Sequence, residues 1–202
     1  SIGFAMIVAV IVAVATVRSG RIGRAVSSTL EVASISMPNF WLGILLLSAF
    51  SFGWRIFPAA GAEGPLSLVL PTLTLGIPMA GLFIQVLRPE LEREISAPYF
   101  VSARARGRSF YSVLYRHAMP HAMLPLLILS GTYFATLISG TVVVEALFGR
   151  PGIGRITLNA VLVKDVPLVS GVVILSAVAF VLINLMVDVI IRKVDPRVEN
   201  EP

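Results

Sequence analysis

Five uncharged runs constrain this chain more than anything else in it. Residues 1–17, 32–54, 64–87 and 166–187 contain no Asp, Glu, Lys or Arg, and neither do residues 118–144, where His121 is the one basic side chain. Each of the four after the first exceeds about 20 residues, and at ~1.5 Å of rise per residue each crosses a hydrocarbon core of ~30 Å as a helix. Strands of a membrane barrel are shorter and alternate in polarity. The reading is an all-α membrane protein, a polytopic helical bundle with five spans. The chain opens apolar at Ser1 without a basic flank, so the first run reads as a clipped span rather than a signal peptide, with residues expected upstream.

Composition agrees. Of 202 residues, 56% are hydrophobic and 13% charged, whereas soluble domains carry about 25% charged residues. That leaves no room for a soluble catalytic domain, and residues 1–202 read as one transmembrane domain. Without cysteine, disulfides, thiolate metal sites and cysteine nucleophiles are excluded. The net charge of +5 fits loop placement against a lipid bilayer better than a nucleic-acid partner.

Orientation follows from where the cations fall. Five spans put Arg18, Arg21, Arg24, the insert residues Arg88, Arg93, Arg104, Arg106, Arg108 and Arg116, and the terminal Arg192, Lys193 and Arg197 on one side. Only Arg55, Arg150, Arg155 and Lys164 of the 16 basic residues remain on the other. The positive-inside rule makes the richer side, and the C-terminus, cytoplasmic. Residues 18–28 then form a short basic loop, and 55–63, with Pro58 and Gly61, an external turn. Residues 149–167 form an external segment in which 156–163 suit a short helix on, or re-entrant into, the outer surface. Pro38, Pro71 and Pro78 lie inside spans and read as fixed packing kinks, hinges being the alternative.

Catalysis finds no support. There is no G-x-x-x-x-G-K-[ST] phosphate loop and no G-x-S-x-G elbow. His117 and His121 have chelating i, i+4 spacing, but Pro120 lies between them and no acid is near, so no metal site is expected. Glu31, Glu145 and Asp188 fall at or near span ends, where each is expected to pair with an Arg or to meet headgroups and water, Glu31 near Arg24 and Asp188 near Arg192. A proton-coupled carrier needs acid at the midplane.

The insert 88–120 is the most articulate segment. Residues 87–95 extend a helix out of the membrane, and Ser96-Ala-Pro98 breaks it. Residues 99–105 suit a short helix closed by Gly107 in a left-handed conformation, and Ser109 can cap another over 110–117. Tyr99, Phe100, Phe110, Tyr111 and Tyr115 would supply apolar anchors within an arginine rim, as in a protein-docking patch. An amphipathic element lying on headgroups has the same composition.

Here the chain resembles a known family. Tyr99-Phe-Val-Ser-Ala-Arg-Ala-Arg-Gly107, thirteen residues before Pro120, is similar to the Glu-Ala-Ala loop of permease subunits of bacterial ABC importers, in the dipeptide/oligopeptide/nickel branch, where Tyr-Val-Arg-Thr-Ala-Arg-Ala-Lys-Gly is usual. The initial Glu is absent, as is common in that branch. Met119-Pro120-His121 departs from its usual Leu-Arg-Asn. Ser36-Met-Pro-Asn-Phe-Trp-Leu-Gly43, Phe57-Pro-Ala-Ala-Gly61, Val143-Val-Glu-Ala-Leu-Phe148, Pro151-Gly-Ile-Gly-Arg155, Lys164-Asp-Val-Pro167, Asn184-Leu-Met-Val-Asp188 and Asp195-Pro-Arg197 extend the resemblance over nearly the whole chain.

The resemblance implies a type I importer permease in a bacterial inner membrane, with six spans in the full chain, and the first of two permeases in a heterodimer. It implies two cytoplasmic ATP-binding subunits, which hold ATP and Mg while this chain binds no cofactor, and an extracytoplasmic binding protein. The coupling residues it points to are Tyr99, Val101, Ser102, Ala103, Arg104, Ala105, Arg106, Gly107, Arg108, His117 and Pro120. Gly107→Asp or Ala103→Glu is then expected to uncouple ATP hydrolysis from uptake and leave the membrane fold intact. Peptides are the implied solutes, with nickel, haem, glutathione or an oligosaccharide as alternatives and a secondary transporter or channel as the contrasting class. Polar residues within spans, Asn39, Gln85, Thr132, Tyr133, Thr136 and Ser139, are candidate path-lining groups, helix–helix hydrogen bonding being the other use for each.

Overall fold

A computed structural model describes residues 1–61 and 63–194, with the side chains at 135, 136, 138–140, 188 and 190–194 left aside. The described residues are helical, without strands. In order they form α1 (Ile2–Thr16), α2 (Arg21–Ser36), α3 (Asn39–Leu46, prolonged by π-helical turns over Leu47–Gly53), α4 (Val69–Ser96), α5 (Pro98–Ala105), α6 (Phe110–Val113), α7 (Met119–Ala122), α8 (Leu124–Gly140), α9 (Val142–Leu147), α10 (Ile153–Leu162) and α11 (Val166–Val194).

The axis of the fold is α4. Its 28 residues make a rod of ~42 Å at ~1.5 Å per residue. Pro78 and Pro89 lie within it without ending it. Helix α1 seats against α4 through Ala5, Ala9 and Ala13, all fully buried. Small residues four apart on one helix face let two backbones approach closely, which is how helices associate where water supplies no driving force. Gly76 and Gly81 of α4 extend the same logic: a Cβ on Gly76 would sit 2.6 Å from the Phe4 ring, and one on Gly81 would strike Ser34 of α2.

The expected straight span 32–54 is corrected. Helix α2 starts at Arg21, so most of the expected basic loop 18–28 is helix, and α2 meets the α3 segment Asn39–Gly53 at 101°. Pro38 causes the break: its ring excludes the helical carbonyl four residues back and holds Met37 extended, at φ −80° and ψ 124°. Among the described residues, by length and hydropathy alone, two helices qualify as spans, the one running from Pro65 to Ser96 and Val166–Val187, or three if the bent pair counts as one. The uncharged stretch 118–144 is divided among α7, α8 and α9.

One core cluster joins α1, α4 and α5 to α8 through Phe83, Leu87, Leu91, Phe100, Val113, Leu114 and Leu126. A smaller one, with Leu47, Leu70, Val144 and Phe148, closes the end where α4 begins. Helix α11 packs on α8, where a Cβ on Gly131 would come within 2.7 Å of Val187. No residue in the most apolar stretch of α11 is buried.

Candidate functional site

Beyond Arg88 the rod ends in a compact helical knob. Ala97 is extended, and Pro98, whose missing N–H costs nothing in a first turn, starts α5. The far end of α5 is a complete Schellman cap: Gly107 donates to the Arg104 carbonyl at 3.0 Å and Arg108 to the Ala103 carbonyl at 3.4 Å. The cap needs a left-handed residue at Gly107, which has φ +83°. Ser109 then caps α6, its hydroxyl accepting from the Ser112 N–H at 3.3 Å. The chain continues through one π-helical stretch, Leu114–Ala118, into α7. That stretch absorbs Pro120, which has no N–H to offer the Arg116 carbonyl.

The knob has its own core. Phe100, Ala103, Val113, Leu114, Ala118 and Met119 are buried, in the cluster that includes Leu87 and Leu91 of α4. This corrects two expectations. Phe100 is 2% exposed and Phe110 half-buried, so both hold the knob together and neither is an anchor for a partner. Ala103 is 6% exposed, so a glutamate there would bury an unpaired carboxylate and perturb the fold. Gly107→Asp has no such cost, because nothing lies within 4 Å of a Cβ at Gly107 and Asp tolerates the left-handed region better than most residues.

Among the residues the knob exposes are Tyr99, Val101, Ser102, Arg104, Ala105, Arg106, Arg108, Tyr111, Tyr115, Arg116 and Pro120. Tyr111 and Tyr115 stack at 6.5 Å between centroids. Arg104 donates to the Arg108 carbonyl at 2.7 Å, and Arg108 lies 3.4 Å from Nε2 of half-buried His117. Arg18 sits over the Phe110 ring at 4.9 Å. The Tyr99 hydroxyl donates to Glu94, and partial burial followed by that carboxylate pushes its pKa well above the usual tyrosine range. Among the described residues no group of three His, Asp or Glu could hold a metal.

A cavity of about 270 Å³ lies between the α2–α3 bend, α4 and α8, lined by Ile35, Asn39, Leu75, Pro78, Met79, Leu82, Tyr133 and Leu137. It brings together Asn39 and Tyr133 of the sequence candidates; the Tyr133 ring also meets Phe83 edge-on at 6.1 Å. Gln85 is exposed and outside the lining, and Thr132 turns back to the Ile128 carbonyl at 3.4 Å. The side chains of Thr136 and Ser139 lie outside those described. A search for polar residues missed the apolar walls, whose only signal was Pro78 in mid-span.

Between cavity and knob, Glu31 pairs with Arg88 of α4 rather than with Arg24, and both are buried. Arg24 instead reaches Glu92 at 3.0 Å. The expected Asp188–Arg192 pair lies outside the described side chains.

At the opposite end of α4, Arg150 donates to the Ser67 carbonyl at 3.2 Å, the Ser67 hydroxyl at 3.3 Å and the Gly61 carbonyl at 3.5 Å. Ser67 is four residues before Pro71, whose missing N–H leaves that carbonyl without its helical donor. Glu145 caps α10, accepting from the Arg155 N–H at 3.1 Å and from Thr141 at 3.1 Å.

The amino-acid sequence that folds into this bundle has counterparts among known proteins. Residues 2–200 match the family described as binding-protein-dependent transport system inner membrane component. The chain belongs to that family. Among its relatives are a peptide transport system permease protein of Brucella abortus (strain 2308), 38% identical over 180 residues, and the glutathione transport system permease protein of Escherichia coli (strain K12), 36% identical over 174 residues. The first alignment covers 84% of this chain and 57% of the relative, the second 85% and 56%. The chain thus spans little more than half the length of the curated relatives it matches. As a member of this family it is a multi-pass inner-membrane component, and α5–α7 fall on the segment whose sequence resembled the importers' loop.

Proposed function

We propose that this chain is the first permease of a heterodimeric ATP-driven importer, carrying peptides across a bacterial inner membrane. One observation carries the reading. Helix α4 is a single rod that lines the cavity with Leu75, Pro78, Met79 and Leu82 and ends in the knob, whose core is continuous with its own. A force on the knob therefore reaches the cavity wall without crossing a flexible joint. In this reading α5–α7 lie in the cytoplasm and seat in a groove of an ATP-binding subunit, Tyr111, Tyr115 and the exposed arginines facing the partner. The C-terminus is on the same side. Two such subunits hold ATP and Mg and hydrolyse the nucleotide. The second permease completes the path, and an extracytoplasmic binding protein delivers the solute near α10. Residues 1–202 act as one transmembrane domain of a type I importer permease.

ATP binding shifts the transporter only insofar as closed ATP-binding subunits hold one arrangement of the knobs more tightly than the other. The cavity supplies one half of a solute surface, with the Asn39 amide and the Tyr133 ring among apolar walls. Relatives named for peptide and for glutathione transport support one chemical class of solute, short chains with a peptide backbone and charged ends.

The test is reconstitution with the second permease, the ATP-binding subunits and the binding protein in vesicles. Peptide uptake driven by ATP is expected, and Gly107→Asp is expected to leave assembly intact but abolish stimulation of ATP hydrolysis by loaded binding protein. Uptake that follows an ion gradient and ignores ATP would refute the reading. Uptake of glutathione and not of other peptides would narrow the solute without changing the machinery.

A further inference from the structure

Arg88 is 6% exposed and Glu31 4% exposed, and they form an ion pair between α4 and α2. Arg88 also donates to Ser27 Oγ at 2.6 Å and, through Nε, to Thr16 Oγ1 of α1 at 3.0 Å. Its Nη1 reaches Glu31 Oε2 at 3.4 Å and Ser28 Oγ at 3.5 Å. Ser27 in turn donates to Glu31 Oε1 at 2.6 Å. One guanidinium thus joins three helices.

The placement of this cluster matters more than its strength. A buried ion pair contributes little net stability, because desolvation offsets most of the attraction, and apolar side chains of equal volume hold helices together about as well. Apolar contacts, however, permit several registers, whereas a guanidinium fork on a carboxylate has one geometry. Two turns up α4 from Arg88, the α2 backbone crosses so close to Gly81 that a Cβ there would lie 3.0 Å from the Glu31 carbonyl. Beyond the crossing, α2 bends into α3 and delivers Ile35 and Asn39 to one wall of the cavity, while α4 delivers Pro78, Met79 and Leu82 to the other. Below Arg88, α4 runs eight more residues to Ser96 and the knob. The pair is therefore the buried polar tie between the two cavity walls on the side from which a push would arrive, the other α2–α4 ion pair there, Arg24–Glu92, being far more exposed.

We propose that Arg88 and Glu31 are positioning residues that fix the register of α2 on α4, so that displacement of the knob moves both cavity walls as one body. This rests on reading α5–α7 as the contact for an ATP-binding subunit.

The test uses the assembled importer in vesicles with solute-loaded binding protein, and the paired variant Glu31→Leu with Arg88→Met, which removes both charges together. The chain has no cysteine, so Thr29→Cys and Ser96→Cys, both at exposed positions, report α2–α4 register through spin labels. The paired variant is expected to assemble with an unchanged melting temperature and unchanged basal ATP hydrolysis. Its stimulation by loaded binding protein is expected to fall about tenfold, within the usual range of coupling between sites. The label distance, single and nucleotide-independent in the parent, is expected to broaden. A purely structural role predicts wild-type stimulation at wild-type melting temperature, and that result, or a distance that stays single, overturns the proposal. Should the paired variant fail to assemble, Glu31→Gln, whose amide oxygen still accepts from Ser27 and Arg88 Nη2 while its amide nitrogen cannot accept from Arg88 Nη1, is judged by the same two readouts. A parent complex that ignores loaded binding protein overturns the importer reading instead, and the label distance still decides whether the pair sets register.

Discussion

The ring of Phe100 meets the ring of Phe110 edge-on, 5.5 Å between centroids, across the turn that Gly107 makes at φ +83°. This contact folds α5 back on α6 and makes the knob a solid body rather than a loop. Phe100→Ala is expected to cost about 3–5 kcal/mol, the usual price of an emptied aromatic site, and to release the ATP-binding subunits. Thermal unfolding and co-purification would read the two effects. If the variant melts like the parent, the knob is not built around this pair.

Gly107 tests conformation apart from space. A Cβ there touches nothing, so any cost is that of the left-handed backbone, about 1–2 kcal/mol for an ordinary residue and less for Asn or Asp. Gly107→Asn is expected to melt close to the parent and Gly107→Val clearly below it. Equal melting temperatures would mean that the turn relaxes.

Arg150 and Pro71 are expected to be energetically coupled. Arg150 donates to the Ser67 carbonyl at 3.2 Å, the acceptor that Pro71 cannot serve. Arg150→Ala should cost about 1–3 kcal/mol, the range for a lost charged donor. In a Pro71→Ala background the helix regains its own N–H donor, and the loss should shrink. A double-mutant cycle on thermal stability checks this; strictly additive losses would refute the assignment.

Tyr99 provides a pH signature. Partial burial, then the hydrogen bond to Glu94 and its charge, raise the phenol above its ordinary value of 10.0. Since the folded pKa is the higher one, the native state keeps a proton that the unfolded chain loses. The stabilisation is full below pH ~10 and declines as pH rises beyond it. Ultraviolet titration of the parent against Tyr99→Phe should show the Tyr99 component ionising above the usual tyrosine range. Ionisation of Tyr99 near pH 10 would exclude the Glu94 bond.

The features legible in the sequence were those set by neighbouring residues. Ser96-Ala-Pro98 ends α4 and Pro98 starts α5; Gly107 is left-handed and Ser109 caps; residues 156–163 fall within or beside α10. Each depends on sterics or hydrogen bonds within a few positions. What stayed hidden depends on contacts between distant segments. Glu31 lies seven residues from Arg24 but pairs with Arg88, 57 residues away, and Glu145 caps a helix ten residues on. Phe100 looked like a surface anchor because composition does not reveal which side of a short helix faces the core. The bend at Pro38 was signalled by the proline, yet an uncharged run gives no sign of whether its helix is straight or turned through 101°.

The most direct test of the central claim is site-specific photo-crosslinking from Tyr111, which is 53% exposed on the knob, in the assembled complex within sealed inside-out vesicles. The expected result is an adduct with an ATP-binding subunit whose yield changes on adding nucleotide. An adduct with lipid alone, or protection of the site from reagents added to the cytoplasmic face in the absence of any partner, would contradict it.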